Sequence, residues 1–313
     1  MPSSGNRGLD HDPQAATPNL MKVCTGIEEM RSACRAVRRE GARLGLVPTM
    51  GALHEGHLSL VRAAKASCGV VAASIFVNPA QFGPNEDLAK YPRRFELDRG
   101  LLEKEKVDLL FAPAVGEMYP AGGLTWVTVE ELSDKMDGRS RPGHFRGVTT
   151  VVAKLFHIVE PDAAFFGQKD AAQVAIVRRM VRDLHLPVEI VACPTVREAD
   201  GLAMSSRNDY LGPQERRQAL VLHRALLRAK NLADGGERNA ATLTAAGREE
   251  FAREPAVRLD YFEIVNPDTL DPVEDVANGA LVAVAAFVGT TRLIDNILLP
   301  QLSIRVGQPS SRR

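Results

Sequence analysis

Two histidines, His54 and His57, stand three residues apart in the segment Pro-Thr-Met-Gly-Ala-Leu-His-Glu-Gly-His at 48–57. The apolar run at 44–47 predicts a strand before this segment, and the apolar spacing at 58–64 predicts a helix after it. A loop that leads into a helix presents unpaired backbone N–H groups and the positive end of the helix dipole, which favour an anion such as phosphate. Residues three apart share one face of a helical turn, so both imidazoles are expected to meet one phosphate chain.

A second loop of the same layout, Gly167-Gln168-Lys169-Asp170, lies between a predicted strand at 163–166 and a predicted helix at 171–181. Asp170 is a natural N-cap for that helix, which would be a purely structural role. A strand-end glycine beside a lysine and an aspartate also fits contacts to ribose and phosphate. Both interpretations stay open on these residues alone, and Gln173 lies one turn further along the same side.

A segment rich in hydroxyl groups, Asp-Gly-Leu-Ala-Met-Ser-Ser-Arg-Asn, occupies 200–208. Two serine hydroxyls and a guanidinium beside a helix start can wrap a phosphate, and a plain serine turn explains the segment equally well. A basic, glycine-rich loop at 141–147 also suits an anion, although a solvated surface loop would have the same composition.

Asn78 and Gln81 follow a wholly apolar, β-branched run at 69–77, which is typical of a strand buried on both faces of a parallel sheet. Ligands of open α/β sheets collect beyond the carboxyl ends of the strands, where these two amides stand. A turn with a capping Asn is the structural alternative. Asp98 lies on a charged helix predicted around 94–106, and it can either hold a metal ion through phosphates or be solvated surface.

The composition and the missing motifs exclude several classes of function. The 313 residues include 39 basic and 39 acidic side chains, so no global field attracts nucleic acid or an anionic membrane. The sequence has no GxxxxGK[ST], no GxGxxG after a strand, no HExxH and no GxSxG, which removes the main support for P-loop, dinucleotide, zinc-protease and hydrolase functions. Zinc is disfavoured because no cysteine or third histidine stands beside His54 and His57.

The four cysteines show no CxxC pair and no zinc-finger spacing, so we expect reduced structural thiols and a cytoplasmic protein. The longest apolar runs, at 69–77 and 279–288, are well short of the roughly 20 residues of a membrane-spanning helix. Residues 1–20 are polar and lack the apolar core of a signal peptide. We therefore expect 1–20 to form a disordered extension and 307–313 a disordered tail.

Strands and helices alternate over 21–198, which predicts an α/β domain with a Rossmann-like parallel sheet and helices on both faces. The composition changes near Tyr210, and the elements that follow predict a smaller α+β domain over 199–306. Its predicted helices lie at 216–232 and 242–251, and its predicted strands at 259–265, 280–287 and 302–306.

The histidine motif, followed by a lysine at a later strand end and a distant Ser-Ser-Arg loop, resembles the nucleotidylyltransferase and class I aminoacyl-tRNA synthetase superfamily, in which these segments clasp ATP. The residues of these motifs are similar to those of the pantothenate synthetase family. Five motifs carry this likeness, which runs from about residue 22 to about residue 304: Pro-Thr-Met-Gly-Ala-Leu-His-Glu-Gly-His, Phe-Val-Asn-Pro-Ala-Gln-Phe, Arg-Pro-Gly-His-Phe, Phe-Gly-Gln-Lys-Asp and Asp-Gly-Leu-Ala-Met-Ser-Ser-Arg-Asn.

The resemblance implies an ATP-dependent ligase that joins pantoate to β-alanine. Pantoate and ATP would give enzyme-bound pantoyl adenylate and pyrophosphate, and the amine of β-alanine would then displace AMP to give pantothenate. The resemblance also implies Mg²⁺ and a homodimer. Joining a carboxylate to the α-phosphate brings two anions together, so hydrogen-bond donors and Mg²⁺ must offset their repulsion.

Carried over residue by residue, the resemblance makes His57 the proton donor to the departing phosphate and His54 its phosphate-binding partner. An imidazole with a solution pKa of about 6.5 can hold that proton near neutrality. The implied catalytic set is His54, His57, Lys169, Ser205, Ser206 and Arg207. The implied ATP contacts are Met50, Gly51, Ala52, Leu53, His54, Glu55, Gly56, His57, Gly167, Gln168, Lys169, Asp170, Val196, Met204, Ser205, Ser206 and Arg207.

The resemblance assigns pantoate to Gln81 and Gln173, with Asn78, Tyr91 and Arg141 as further substrate contacts. Neutral amides suit pantoate because its carboxylate and two hydroxyls need partners that both donate and accept. Asp98 is the one protein ligand implied for Mg²⁺, which the ATP phosphates would largely hold. The family often carries more carboxylates here than the Glu96-Leu97-Asp98 of this chain.

Two other functions fit part of the pattern. A nucleotidyltransferase shares the histidine motif but leaves the nucleotide on its product, and the downstream motifs argue against it. A non-catalytic ATP-binding protein on the same fold would be expected to have lost one of the key side chains. His54, His57, Lys169 and Arg207 are all present.

Overall fold

The computed structural model describes residues 20–84 and 86–301. Six strands form a sheet in which all neighbouring strands are parallel, in the order β1-β4-β3-β2-β5-β6. They are β1 (Lys22–Cys24), β2 (Leu44–Thr49), β3 (Val70–Ile75), β4 (Leu109–Phe111), β5 (Ala163–Gly167) and β6 (Glu189–Cys193). The chain moves from β2 to β3 on one side and later to β5 on the other, so the carboxyl ends of β2 and β5 form the topological switch point of the sheet.

Helices cover both faces of this sheet. They are α1 (Ile27–Arg39), α2 (Glu55–Ser67), α3 (Phe95–Lys104), α4 (Val115–Met118), α5 (Asp137–Ser140), α6 (His144–Val159) and α7 (Ala171–Asp183). Alternate residues of β2 point to opposite faces: Leu44 and Leu46 pack in the cluster of α1, α6 and α7, whereas Val47 packs in the cluster of α2 and α3. The predicted fold class is therefore confirmed.

A second sheet of three antiparallel strands, in the order β7-β8-β9, follows further helices. The elements are α8 (Pro213–Gln218), α9 (Leu220–Asp234), α10 (Ala240–Ala252), β7 (Val257–Val265), β8 (Ala280–Val288) and β9 (Thr291–Leu299). One face of this sheet packs on α9 and α10 through Phe262 and Val282. The other face sends Leu281 and Ala283 into the same core as α6 and α7.

The C-terminal elements differ from the prediction at one helix and one strand. The helix predicted at 216–232 is two helices, α8 and α9, which meet at Ala219. Strand β9 was not predicted, because Asp295 and Asn296 interrupt its apolar pattern although both are buried. The strand predicted at 302–306 lies outside the described residues, as do 1–19 of the predicted extension and the tail at 307–313. The domain boundary between 198 and 199 stays a prediction.

The four cysteines are free and buried, as the sequence predicted for structural thiols. Within residues 20–84 and 86–301, no helix combines the length and the apolar character that crossing a bilayer requires.

Helix α6 packs directly on the turn Pro79–Gln81 at a glycine. A Cβ added to Gly147 would lie 2.2 Å from the Ala80 carbonyl oxygen and 2.6 Å from the Gln81 Cα atom. The helix and the turn would have to separate, so we expect Gly147→Ala to lower the free energy of unfolding by about 1–3 kcal/mol. Urea denaturation followed by circular dichroism measures this change.

Gly100→Ala in α3 is the matched control. It is also a helical glycine, and no heavy atom lies within 4 Å of the Cβ that the change would add. We expect this variant to be neutral or more stable by up to about 1 kcal/mol, because alanine favours a helix interior. An equal effect of the two substitutions would contradict the close packing at Gly147.

Candidate active site

A cleft opens beyond the carboxyl ends of β2 and β5, where the predicted anion-binding loops meet. It brings together three distant segments: the histidine loop, the strand end at 167–170 and the serine-rich loop at 204–207. The predicted site residues that line it are Met50, His54, Gly56, His57, Asn78, Gln81, Tyr91, Arg141, Gly167, Lys169, Asp170, Gln173, Val196, Met204, Ser205, Ser206 and Arg207.

Six predicted site residues do not line this cleft: Gly51, Ala52, Leu53, Glu55, Asp98 and Gln168. The Glu55 carboxylate pairs with Arg62 on the surface. Gln168 turns its side-chain amide to Asn296, with 3.3 Å between Gln168 Nε2 and Asn296 Oδ1. Gly51, Ala52 and Leu53 form the backbone of the histidine loop between β2 and α2.

The histidine loop is held from below by Asp98. Gly51 has a φ of 82° and Ala52 a φ of 51°, so the loop passes through the left-handed region just after β2. The Asp98 side chain is 1% exposed, and its two oxygens accept hydrogen bonds of 2.8 Å from the N–H groups of Ala52 and Leu53. Sequence reasoning proposed Asp98 as a Mg²⁺ ligand, whereas the structure turns both of its oxygens to the loop backbone.

The two histidines cap the helix that follows. His54 is the N-cap of α2, and its Nδ1 accepts from the Gly56 N–H at 3.1 Å. The Nδ1 of His57 accepts from the His54 N–H at 3.3 Å, and the two rings lie 4.1 Å apart between centroids. A nitrogen that accepts carries no proton, so this hydrogen-bond pattern assigns the proton of each neutral ring to Nε2. Both imidazoles thus keep an N–H donor for the cleft that they line.

Burial keeps these rings neutral. Desolvation, with smaller contributions from His54 and Lys169, lowers the pKa of His57 to about 3. Burial and the charge of Lys169 lower the pKa of His54 as well, although Asp170 opposes them. The solution value of about 6.5 assumed from the sequence therefore does not apply to the ligand-free cleft. Each ring offers a hydrogen bond there without carrying a charge.

The loop after β5 places a lysine and a carboxylate opposite the histidines. Lys169 Nζ lies 3.8 Å from Asp170 Oδ1. Asp170 occupies the N-cap position of α7, as the sequence predicted, but its side chain makes no capping hydrogen bond. The side chain therefore does not perform the capping role considered from the sequence, and Asp170 lines the cleft instead.

Asn78 supports Gln81. Asn78 is 1% exposed, and its Nδ2 donates to Gln81 Oε1 at 2.9 Å and to the Gly147 carbonyl at 3.1 Å. Its Oδ1 accepts from the Ala80 N–H, which is the capping role considered from the sequence, and from the Tyr119 hydroxyl. Because Gln81 Oε1 is engaged in this way, the Nε2 group of Gln81 is the end available to the cleft.

Two arginines of the cleft are paired with carboxylates that sequence reasoning did not single out. Arg207 donates twice to Asp87, at 3.0 Å each, and Arg141 donates to the two oxygens of Glu86 at 2.7 and 2.5 Å. Burial opposes the ionisation of Glu86, but Arg141 outweighs it and leaves the pKa of Glu86 below its ordinary value. The available signal was two adjacent acidic residues just after the Gln81 turn.

The serine-rich loop combines a turn with cleft contacts. Ser205 Oγ accepts from the Arg207 N–H at 3.3 Å, which is the plain serine turn considered from the sequence. Ser206 Oγ donates to the buried Tyr91 hydroxyl at 3.5 Å. The Met204 N–H donates to the Val196 carbonyl at 3.0 Å. This hydrogen bond connects the serine-rich loop to the residues that follow β6.

Known proteins are similar to this chain over most of its length. A family model described as Pantoate-beta-alanine ligase matches residues 22–298. A pantothenate synthetase of Koribacter versatilis is 61% identical over 279 residues, which are 89% of this chain and 96% of the relative. A pantothenate synthetase of Acidobacterium capsulatum is 63% identical over 290 residues, or 89% of this chain and 97% of the relative.

Solved structures give the same family. The pantothenate synthetase of Thermus thermophilus has a TM-score of 0.84 at 51% identity and covers 88% of this chain and 99% of its own. The pantoate-beta-alanine ligase of Francisella tularensis, complexed with beta-gamma ATP and beta-alanine, has a TM-score of 0.73 at 35% identity and covers 89% and 97%.

Asp98→Asn tests the support under the histidine loop. Asparagine keeps the size of the side chain but can accept through one oxygen only, and its NH₂ group would face a buried backbone N–H. We expect the free energy of unfolding to fall by about 1–3 kcal/mol. Amide hydrogen exchange at Ala52 and Leu53, followed by NMR, should become faster.

The control is Glu96→Gln, an exposed acid in the first turn of the same helix. Its loss should cost only a few tenths of a kcal/mol through the helix dipole, and it should leave exchange at 52 and 53 unchanged. Unchanged exchange in Asp98→Asn would show that the loop does not depend on this carboxylate.

Proposed function

The chain belongs to the pantoate–β-alanine ligase family, and we propose that the cleft described above is where this protein carries out the family's reaction. The reaction condenses pantoate with β-alanine to pantothenate through a pantoyl-adenylate intermediate, with release of pyrophosphate and AMP. One observation carries the placement. His54, His57, Lys169 and Ser205–Arg207 come from three distant segments and line one cleft, together with the uncharged Gln81 and Gln173.

ATP occupies the side of the cleft formed by the histidine loop and the loops at 167–170 and 204–207. The triphosphate lies at the start of α2, where the helix dipole and the two Nε2–H donors face it. Lys169 adds a positive charge on the opposite side. Gly167 and Asp170 meet the ribose, and the backbone of Val196 meets the adenine. This arrangement supplies donors before the reaction begins, so little reorganisation is needed when charge develops.

His57 can become an acid only when ATP is present. In the ligand-free cleft, burial holds its pKa at about 3. The triphosphate brings negative charge beside the ring, and an opposite charge favours the imidazolium form. Protonation places the second proton on Nδ1, so the hydrogen bond from the His54 N–H has to break in that form. The imidazolium would then donate its Nε2 proton to the departing pyrophosphate, while His54 continues to donate a hydrogen bond. The same burial that makes the free ring neutral makes its proton easy to transfer.

Pantoate lies between Gln81 and Gln173. Gln81 presents its Nε2 group, which in the ligand-free structure is 3.1 Å from the Met50 sulfur. A thioether is a weak acceptor, so an oxygen of pantoate readily replaces it. The carboxylate of pantoate then attacks the α-phosphorus of ATP. β-Alanine attacks the resulting acyl adenylate through its amine, and AMP leaves.

The arginines exchange partners when the substrates bind. Arg207 is bound to Asp87 in the ligand-free structure, and Arg141 is bound to Glu86. These carboxylates keep the guanidinium groups paired in the cleft until an anion replaces them. We assign Arg207 to the triphosphate and Arg141 to a substrate anion. The Tyr91 hydroxyl accepts a hydrogen bond from Ser206, the neighbour of Arg207, and so helps to hold this loop at the cleft.

Mg²⁺ is proposed to arrive with the nucleotide. In the described part of the chain, no three His, Cys, Asp or Glu side chains group in a way that could hold a metal ion. The oxygens of Asp98 are turned to the loop backbone and those of Asp87 to Arg207. Asp170 is the acidic residue among the described residues that line the cleft, so it would approach Mg²⁺ in addition to the ribose. Bound to the phosphates, Mg²⁺ offsets part of their charge.

The assembly and the location follow the family resemblance. We propose a homodimer in the cytoplasm. Leu124 is 90% exposed and Trp126 42% exposed in a stretch before α5 that has no regular secondary structure, which offers an apolar surface for a second copy. Free cysteines suit a reducing compartment. Light scattering should give twice the chain mass of 34.0 kDa, and a monomer mass would contradict the dimer.

The reaction is tested with purified protein, ATP, Mg²⁺, pantoate and β-alanine. We expect exchange between ATP and pyrophosphate that requires pantoate, because the adenylate forms first. Without β-alanine, free AMP should not appear while the bound adenylate accumulates. Exchange that does not require pantoate, or a product that keeps the nucleotide, would overturn the ligase in favour of a nucleotidyltransferase.

His57→Ala tests the assigned acid. We expect its rate of pantoyl-adenylate formation to fall by about a hundredfold or more, as when one transition-state donor is removed. His157→Ala, an exposed histidine on α6, is the control and should keep the full rate. A His57→Ala variant that forms the adenylate as fast as the control would remove His57 from the mechanism.

A further inference from the structure

Strand β9 carries two buried polar residues side by side, Asp295 at 2% exposure and Asn296 at 4%. Their partners on β8 are the apolar residues Val284 and Ala283. Apolar side chains at 295 and 296 would complete this core without the cost of removing a charge and an amide from water. The sheet itself therefore does not explain why polar groups stand here.

Both ends of the Asn296 side-chain amide are hydrogen-bonded to the loop that carries Lys169. Its Nδ2 donates to the carbonyl of Gln168 at 2.9 Å and to the carbonyl of Lys169 at 2.8 Å. Its Oδ1 accepts from Gln168 Nε2 at 3.3 Å. Two successive backbone carbonyls are thus fixed by one buried side chain, which limits the directions in which the Lys169 side chain can leave the backbone.

Asp295 contacts, through Arg197, the segment that leads from Val196 to the serine-rich loop. The Asp295 oxygens accept from the two terminal nitrogens of Arg197 at 2.6 and 3.0 Å, and Arg197 also donates to the Gly201 carbonyl at 3.1 Å. Arg197 pairs in turn with Ala203 through an isolated bridge. This pair holds together the two ends of the segment that runs from Val196 to Met204.

We propose that Asp295 and Asn296 are positioning residues for the ligase reaction, which act from β9 on two of the three loops assigned to ATP. Asn296 sets the position of Lys169, and Asp295 sets Val196 and the start of the serine-rich loop. The inference rests on the proposed assignment of these loops to ATP. It makes the C-terminal sheet part of the nucleotide site although, among the residues that the structure describes, those of β7, β8 and β9 do not line the cleft.

Asn296→Ala is the primary test, with the KM values for ATP and pantoate and the kcat of the forward reaction measured well below the melting temperature. We expect kcat/KM for ATP to fall by about tenfold or more, because small misplacements of a charge-stabilising group are costly. The KM for pantoate should change by less than about twofold. Val282→Ala, which opens a cavity in the core of the same sheet, is the control for lost stability.

The position of the effect is tested in a Lys169→Ala background, with calorimetry of a non-hydrolysable ATP analogue as the readout. If Asn296 acts through Lys169, then Asn296→Ala weakens binding in the wild type and has less than about a twofold effect once Lys169 is gone. Asp295→Asn acts through Arg197, so its effect on the same binding should persist in that background.

The order of two Asn296 variants separates hydrogen bonding from volume. Aspartate matches asparagine in size but turns a carboxylate oxygen toward two carbonyls, so Asn296→Asp should lose more kcat/KM for ATP than Asn296→Ala. The opposite order, an Asn296→Ala effect no larger than that of Val282→Ala at equal melting temperature, or full additivity with Lys169→Ala would each overturn the proposal. Failure of the proposed function would appear instead in the wild-type protein, as exchange without pantoate or as normal activity of Lys169→Ala.

Discussion

Four backbone N–H groups between the end of β2 and the first turn of α2 are hydrogen-bonded by side chains, two of them by residues that line the cleft. Asp98 takes the amides of Ala52 and Leu53, while His54 and His57 take two more through Nδ1. Such groups are costly to leave unpaired when buried. The capping of α2 therefore fixes both the path of the loop and the proton position in each ring, so that folding and chemistry depend on the same hydrogen bonds.

The cleft also groups basic and titratable side chains whose charges must be compatible with one another. Cationic imidazoles beside Lys169 would repel one another when no ligand is present. Burial removes that problem by keeping both rings neutral, and Asp87 and Glu86 neutralise Arg207 and Arg141 in the same way. Lys169, at 3.8 Å from Asp170, supplies a positive charge beside the rings, and the negative charge of a bound triphosphate would favour the protonated form of His57.

Much of this could be predicted from the sequence, because the signals are local. The apolar run of β3 and the helical spacing of α2 reflect burial of neighbouring residues, and the switch point follows from the α/β order. The motifs around His54, Lys169 and Arg207, which the sequence assigns to one site, line one cleft in the structure. What could not be predicted depends on side chains that meet only in the fold. The role of Asp98 under the loop leaves no local pattern, and the adjacent acids Glu86 and Asp87 do not reveal from the sequence which arginines they pair with. Strand β9 was missed because its two buried polar residues, which the packing requires to be satisfied, look like an exposed break in an apolar strand.

The most direct test of this account is which nitrogen of each imidazole carries the proton. Long-range ¹H–¹⁵N NMR correlation of the ligand-free protein, with His54 and His57 assigned by single substitution, reports this for both rings. The account predicts that at pH 7 both rings are neutral with the proton on Nε2, and that His57 shows no protonation between pH 8 and pH 5, since its pKa lies at about 3. A proton on Nδ1 of either ring, or a His57 that titrates near its solution value of about 6.5, would contradict it.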